Sequence, residues 1–280
     1  MRGKEQLLLN QSENHHEMKF LSNDLKNLLN RGTINFALRF LTAAPLNCHR
    51  DFAQDTEGII KHVEDSFVVS GSENIPLNDS RLIIVCNHPD ITNFLLGSFL
   101  ISQTFAKTRK EKNLPTRIHW FIGRNVPRQN LPEKKIPRLF TEFAFKVIDD
   151  IFLKSIVKTY DFIGVPTLDK NNQKQALLLE RGQAYLRGLN YLKEKEIVGI
   201  LPEAAFSDNG ELRDFQLGLG KMIKKINDRE IQILPVMISR DKGTKILHVK
   251  FGRSLKADYD QTVEKITQDI QKNLVLLNIP

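Results

Sequence analysis

The amino-acid sequence predicts an α/β fold in which a mostly parallel, mixed sheet is flanked by helices. Seven short apolar runs have the length and composition of strands, and segments with helical spacing of apolar residues lie between them. Strands that alternate with helices along a chain are typical of layered proteins with a parallel sheet. The run RLIIVC at 81–86 is apolar from Leu82 onward, as expected of a strand covered on both faces.

The predicted strands share a high apolar content and lie at 65–70, 81–86, 118–122, 162–166, 196–201, 231–239 and 245–251. The predicted helices share apolar residues at helical spacing and lie at 91–106, 136–158, 173–194, 217–227 and 260–278. The apolar stripe of 136–158 is unusually broad. Two interpretations of it stay open: a helix that partly faces lipid or a partner, and a helix buried on two sides of the core.

The chain divides into three predicted parts. Residues 1–17 are polar and are predicted to form a flexible tail, and 18–58 is predicted to be an N-terminal helical region broken near Gly32. Residues 59–280 are predicted to form the α/β domain. The helices of 18–58 are amphipathic and basic, which fits either a membrane-surface element or a helix with a solvated basic face.

Composition narrows the class of protein. An apolar content of 41% excludes a disordered chain. A formal charge of +8 admits nucleic acid, anionic lipid headgroups or acidic small molecules as partners and does not choose between them. No recognisable nucleic-acid-binding pattern is present, so we expect no nucleic acid partner and keep an anionic membrane surface. Cys48 and Cys86 lack metal-ligand spacing, and we expect reduced thiols and no bound metal.

Membrane-spanning helices are not predicted. A spanning helix needs roughly 20 consecutive apolar residues, and the longest near-apolar run, 91–106, contains several polar side chains. The first residues turn polar after a short leucine run, unlike a secretory signal. We therefore expect a protein that is soluble or lies on a membrane.

The first candidate site follows the strand 81–86, where the chain continues as NHPDITN at 87–93. His88 is thus predicted between the end of a buried strand and the start of a helix. Ligands and reactive groups of α/β proteins lie at the carboxyl ends of the strands. The helix N-terminus there adds free N–H groups and a positive dipole potential.

The second candidate site follows the strand 196–201, where the chain reads PEAAFSDNG from Pro202. Glu203 is expected at the same edge of the sheet as His88, since both follow apolar strands. Ser207 lies nearby and is interpreted first as a turn or helix cap. A serine hydrolase is not indicated, because the sequence lacks a G-x-S-x-G nucleophile elbow.

Together the two clusters resemble the phospholipid/glycerol acyltransferase superfamily, which includes lysophosphatidate acyltransferases. In that family one strand delivers Asn-His, four residues and an Asp, and a later strand delivers Phe-Pro-Glu-Gly-Thr-Arg-Ser. Here the corresponding segments are NHPDITN and LPEAAFS. The segment ending in Asp169-Lys170 resembles the family's middle motif, and the strand with an internal proline at 233–236 resembles its fourth.

The resemblance implies a glycerolipid acyltransferase-like fold and an O-acyltransferase activity. The donor would be acyl-CoA or an acyl-carrier protein, the acceptor a hydroxyl of a lyso-lipid, and no separate cofactor is required. His88 would be the general base, which suits a neutral imidazole. Glu203 would hold the acceptor or a main-chain group, and the substrate site would also be lined by Pro202, Ser207, Asp169, Lys170 and Arg213. The location implied is cytoplasmic, on the inner face of a membrane.

Asn93 departs from the family pattern, which has Asp at this position to orient and stabilise the imidazole. In the serine-protease triad this exchange costs roughly 10⁴-fold in turnover. Three interpretations stay open: slow catalysis, replacement of the Asp by Asp90, and a protein that binds lipid or acyl chains without turnover. If residue 93 orients His88, Asn93→Asp is expected to raise turnover.

Residues 204–206 also depart from the family pattern, reading Ala-Ala-Phe in place of Gly-Thr-Arg. The resemblance associates that arginine with the acceptor's phosphate, which a guanidinium binds with two hydrogen bonds. Phe206 cannot do this. Either Lys170, Arg213 or Lys221 takes its place, or the acceptor carries no phosphate there.

Overall fold

The structure is a computed structural model that describes residues 49–61, 67–123, 153–166, 174–204, 212–226, 230–241 and 246–277. Within these ranges eight strands form one sheet: β1 Phe67–Ser70, β2 Leu82–Cys86, β3 Ile118–Gly123, β4 Ile163–Val165, β5 Ile197–Ile200, β6 Gln232–Arg240, β7 Leu247–Phe251 and β8 Leu255–Lys256. The strand order is β1-β7-β6-β2-β5-β3-β4, and β8 pairs with β6. Five of the seven pairings are parallel, and β6 pairs antiparallel with β7 and β8.

Six described α-helices accompany the sheet: α1 Phe52–Ile60, α2 Ile91–Lys110, α3 Lys154–Thr159, α4 Lys174–Lys193, α5 Gly218–Ile226 and α6 Val263–Leu277. A short 3₁₀ turn covers Ser72–Asn74. Helices α1 and α2 pack on one face of the sheet, and α4, α5 and α6 pack on the other. The predicted mostly parallel sheet flanked by helices is confirmed.

Side chains of the central strand β2 alternate between the two cores. Leu82, Ile84 and Cys86 join the cluster under α1 and α2, whereas Ile83 and Val85 join the cluster under α4, α5 and α6. This follows from the period of two in a strand, which sends successive side chains to opposite faces. The continuous apolar run at 81–86 is therefore explained by helices on both faces.

Several predicted segments lie outside the described residues: the tail, most of the N-terminal helical region, and 136–152 of the broad helix predicted at 136–158. Helix α3 covers the last described part of that segment. Helix α1 runs through the boundary predicted at 58, and its buried Ile59 and Ile60 join the core that α2 covers. Among the helices described, none is both long enough and apolar enough to cross a membrane.

Arg109, in the last turn of α2, is a buried cation that holds the neighbouring loops. Its guanidinium donates to the carbonyl oxygens of Pro115 at 2.8 Å and Asn78 at 3.3 Å, and to that of Pro76. Burial lowers the pKa of Arg109, and the charge of Asp79 opposes this shift. The arginine therefore supplies hydrogen bonds to three main-chain carbonyls on segments flanking β2 and β3.

We expect Arg109→Met to lower the free energy of unfolding by about 3 kcal/mol, because it keeps an apolar stem but leaves buried carbonyls without their donor. Urea unfolding measures this change. The neighbouring, exposed Lys110→Met is the matched control and should shift stability by less than about 0.5 kcal/mol. Equal stability of the two variants would contradict the role given to Arg109.

Candidate functional site

The two sequence clusters meet at the carboxyl edge of the sheet. Strand β2 lies between β5 and β6 and runs parallel to both, with Val85 opposite Ile200 and Cys86 opposite Val236. The chain leaves all three strands at this edge. His88 follows β2 by two residues and Glu203 follows β5 by three, so the topology brings them together.

Glu203 links three segments of main chain. It is buried, with 4% of its surface exposed. One carboxylate oxygen, Oε1, accepts the N–H of His88 at 2.5 Å, and the other, Oε2, accepts the N–H of Arg213 at 2.7 Å. The turn after β5 is thereby tied to the loop after β2 and to the segment that leads into α5.

Burial sets the electrostatics around this carboxylate. It raises the pKa of Glu203, while the N–H groups of Arg213 and His88 and the Arg213 charge act in the opposite direction. Burial, followed by the Glu203 charge, raises the pKa of the Cys86 thiol well above its ordinary value. Since thiolate is the reactive form of cysteine, Cys86 is a protonated core residue at neutral pH and not a nucleophile.

The loop that carries His88 is also tied to β6. The Asn87 side chain donates to the carbonyl oxygen of Ile238 at 2.8 Å and accepts the N–H of Ile238 at 2.7 Å. The side chain thus continues the hydrogen bonding between β2 and β6 by one residue. His88 itself is half-buried, and its ring lies 5.3 Å from the ring of Phe94, measured between centroids.

Asp90 and Asn93 form the start of α2. Asp90 is the N-cap, and its Oδ1 accepts the N–H of Asn93 at 2.9 Å, satisfying one of the free donors of the first turn. The Asn93 side-chain amide donates to the other Asp90 oxygen, Oδ2. The side-chain oxygen of Asn93, Oδ1, accepts from Nε of Arg240 at 2.7 Å. By the resemblance, the side-chain oxygen at this position would instead accept the N–H of the His88 imidazole.

Pro202 shapes the turn rather than presenting a polar side chain. Its carbonyl oxygen accepts the N–H of Gln216 at 2.8 Å, and the N–H of Ala204 donates to the Leu201 carbonyl oxygen at 3.2 Å. The Arg213 side chain is exposed. Ser207, Asp169 and Lys170 lie outside the described residues, and their assignment stays a prediction.

Sequence reasoning missed two residues of this edge, Asn87 and Arg240. Asn87 belongs to the motif at 87–93, and an amide directly after a central strand is well placed to bond a neighbouring strand. Arg240 ends β6, which is parallel to β2, so its position at the same edge could have been inferred from the fold class. The hydrogen bond between Arg240 and Asn93 could not be inferred from the fold class.

Ala204 adopts a left-handed conformation with φ of +55°. An L-residue with a Cβ pays roughly 1 kcal/mol or more for this conformation, whereas glycine adopts it readily. The main chain at residue 204 therefore adopts a conformation that glycine favours. The turn after Glu203 is therefore mildly strained.

Ala204→Gly is expected to raise the free energy of unfolding by about 0.5–1 kcal/mol, since relief of the left-handed strain exceeds the added freedom of the unfolded chain. Chemical denaturation measures the difference. Ala53→Gly, inside α1, is the control and should change stability by about 1 kcal/mol in the opposite direction. A loss of stability in both variants would contradict the strain at Ala204.

A polar cavity lies at the opposite edge of the sheet. Its volume is about 230 Å³, and it is lined at the amino edge of the sheet by Asn78, Asp79, Ser80, Glu230, Gln232 and Lys256. Residues 78–80 precede β2 and Glu230 precedes β6, while Gln232 begins β6 and pairs with Lys256 of β8. The cavity therefore lies at the end of the strands opposite His88. Within the described ranges no cluster of three or more His, Cys, Asp or Glu side chains could hold a metal ion.

Comparison with known proteins gives one distant structural likeness. No protein-family model matches the sequence, and no curated protein matches it. Among solved structures, one that is similar is the 1-acyl-sn-glycerophosphate acyltransferase PlsC from Thermotoga maritima. It shares 16% sequence identity, with a TM-score of 0.47 over 92% of this chain and 100% of that chain. The α/β class stated above rests on the strand order and pairing.

Proposed function

We propose that this protein is an O-acyltransferase that moves a fatty acyl group from a thioester donor to a hydroxyl of a lyso-lipid or lipid-like acceptor. One observation carries the proposal: the hydrogen bond between the His88 N–H and Glu203 joins two sequence motifs 115 residues apart. This contact supports the proposal that the two motifs act as one site. The donor is acyl-CoA or an acyl-carrier protein.

The mechanism begins with the neutral His88 imidazole, which takes the proton of the acceptor hydroxyl as its oxygen attacks the thioester carbonyl. The oxyanion forms near the amino end of α2, where the helix dipole is positive. The carbon–sulfur bond then breaks, and the thiolate takes the proton from the imidazolium. Glu203 acts on this step indirectly, because it fixes the main chain of residue 88.

The charge of the acceptor's headgroup depends on which side chains lie near the site. Phe206 stands where the resembled family has a phosphate-binding arginine, so an acceptor without phosphate at this point is the simpler assignment. Arg213 offers an exposed guanidinium on a segment that Glu203 holds beside His88. An anionic acceptor would bind the Arg213 guanidinium, and Lys170 and Lys221 are the other candidates for binding its charge.

A second candidate function is a lipid- or acyl-binding protein of the same fold with weak or no turnover. Asn93 favours it, since a neutral amide stabilises an imidazolium far less than a carboxylate does. Its carbonyl oxygen also accepts from Arg240. Binding of an acyl chain without release of thiol distinguishes this candidate from the enzyme.

Incubation of the purified protein with acyl-CoA and a panel of lyso-lipids and other lipid alcohols tests the proposal. Thiol release and acylated product are measured together, because hydrolysis of the thioester alone would also release thiol. The proposal expects an acylated product with at least one lipid alcohol. Tight binding of acyl-CoA with neither product would support the binding protein.

The site is proposed to work at the cytoplasmic face of a membrane, on an anionic surface bound by 18–50 and 124–158. Most of both segments lies outside the described residues, and the support is their basic and apolar composition. Each well-placed Lys or Arg contributes about 1 kcal/mol near an anionic bilayer. Sedimentation with liposomes should recover more protein with anionic than with neutral vesicles, and equal recovery would contradict a role for charge.

A further inference from the structure

The loop between β2 and α2 is held from both neighbouring strands. On the β5 side, Glu203 accepts the N–H of His88. On the β6 side, Asn87 bonds Ile238 twice, and Arg240 donates to Asn93 at 2.7 Å. The main chain of His88 therefore lies between two sets of hydrogen bonds, one on each side of the central strand.

Close packing of α2 on β6 produces the contact between Asn93 and Arg240. A Cβ atom at Gly97 would overlap the side chain of Ile238, so glycine is required for this approach. Asn93 lies one helical turn before Gly97 on the same face of α2. Arg240 lies two residues after Ile238 and thus on the same face of β6. The helix and strand periods together place the two side chains opposite each other.

The identity of residue 93 follows from its two partners. One partner, the Asp90 carboxylate, can only accept hydrogen bonds, and the other, the Arg240 guanidinium, can only donate them. A side chain between them needs both a donor and an acceptor, and the asparagine amide provides one of each. An aspartate at 93 would keep the arginine but would set two carboxylates against each other.

We propose that Asp90, Asn93 and Arg240 form a positioning network that fixes the His88 loop, in which Asn93 bridges the acid and the cation. Arg240 and Asn93 are positioning residues, since they act on His88 through the start of α2. This assignment rests on the proposed function, because it gives the network a role in acyl transfer. It also gives a reason for asparagine at position 93, since asparagine can bond both Asp90 and Arg240 whereas aspartate cannot.

Two variants separate bridging from imidazole orientation. Asn93→Asp breaks the bridge by opposing the Asp90 carboxylate. The double variant Asp90→Asn with Asn93→Asp rebuilds it in reverse, because an amide at 90 donates to the carboxylate at 93, which still accepts from Arg240. Asparagine is also as good an N-cap as aspartate, so α2 keeps its start.

Kinetics of acyl transfer give the first readout. Asn93→Asp and Arg240→Gln should each lower kcat by about tenfold with little change in KM, since a displaced base misaligns the reaction without removing substrate contacts. The double variant should return kcat to within about threefold of the wild type, as expected when two changes are coupled through one contact.

The exposed Arg117→Gln, which also removes one positive charge, should leave kcat unchanged. A rise in kcat for Asn93→Asp would overturn the proposal, because residue 93 would then orient the imidazole.

A second readout needs no activity. The ring ¹³C–¹H resonance of His88, assigned by its loss in His88→Gln, reports the surroundings of the imidazole in the intact protein. It should move in Asn93→Asp and in Arg240→Gln and return in the double variant. An unmoved resonance in Arg240→Gln would overturn the network. If the wild type transfers no acyl group, the proposed function fails, and this resonance still decides whether the network holds His88.

Discussion

His88→Gln should lower acyl transfer by about 10³-fold or more, because it removes the general base while leaving the rest of the site in place. The fold should survive, since Glu203 binds the main-chain N–H of residue 88 and not its ring. Glutamine retains polar atoms near the acceptor but cannot take up its proton. Initial rates of acylated product formation at saturating donor measure the loss.

The exposed His49→Gln is the matched control, and its rate should equal that of the wild type. Urea unfolding should place His88→Gln within about 1 kcal/mol of the wild type, which separates loss of chemistry from loss of structure. A His88→Gln protein that keeps its stability and transfers acyl groups at the wild-type rate would contradict the role of the imidazole.

Glu203→Gln should lower both stability and activity, and this combination distinguishes it from His88→Gln. The carboxylate accepts two N–H groups, from His88 and Arg213, whereas the glutamine amide has one acceptor and must face the other N–H with a donor. We expect a loss of about 2 kcal/mol in the free energy of unfolding, the penalty of a buried donor left without its partner. With the His88 loop displaced, kcat should fall by about 10²-fold.

The pKa shift of Glu203 adds a pH dependence with a definite sign. Burial raises its folded-state pKa above the ordinary value of 4.5, so the folded protein takes up this proton more readily than the unfolded chain. The contribution of Glu203 to stability is therefore largest below pH 4.5 and decreases as pH rises through the folded-state pKa. The stability difference between wild type and Glu203→Gln should narrow over that window.

The sequence predicted the sheet and its carboxyl edge because strand periodicity and burial are local signals. The apolar run at 81–86 required cover on both faces, and parallel strands necessarily bring the ends of β2 and β5 to one edge. The proximity of His88 and Glu203 followed from that topology. Strand β8 was not predicted, because two residues are too few to show a period.

The contacts of individual side chains could not be predicted in the same way. Glu203 was expected to hold either an acceptor or a main-chain group, and its two N–H partners depend on how the turn after β5 folds back. Asn93 bonds Arg240 across 147 residues of sequence, a contact created by the packing of α2 on β6 at Gly97. Local spacing carries no signal for such a contact.

The fate of an isotopically labelled acyl chain tests the central claim most directly. Labelled acyl-CoA is incubated with a lyso-lipid and, in parallel, with the same lipid lacking its free hydroxyl, and the products are separated by mass spectrometry. The account predicts label esterified to the hydroxyl-bearing acceptor, one thiol released per ester formed, and no ester with the deoxy acceptor or with His88→Gln. Label recovered as free fatty acid, equally with and without the acceptor hydroxyl, would contradict acyl transfer.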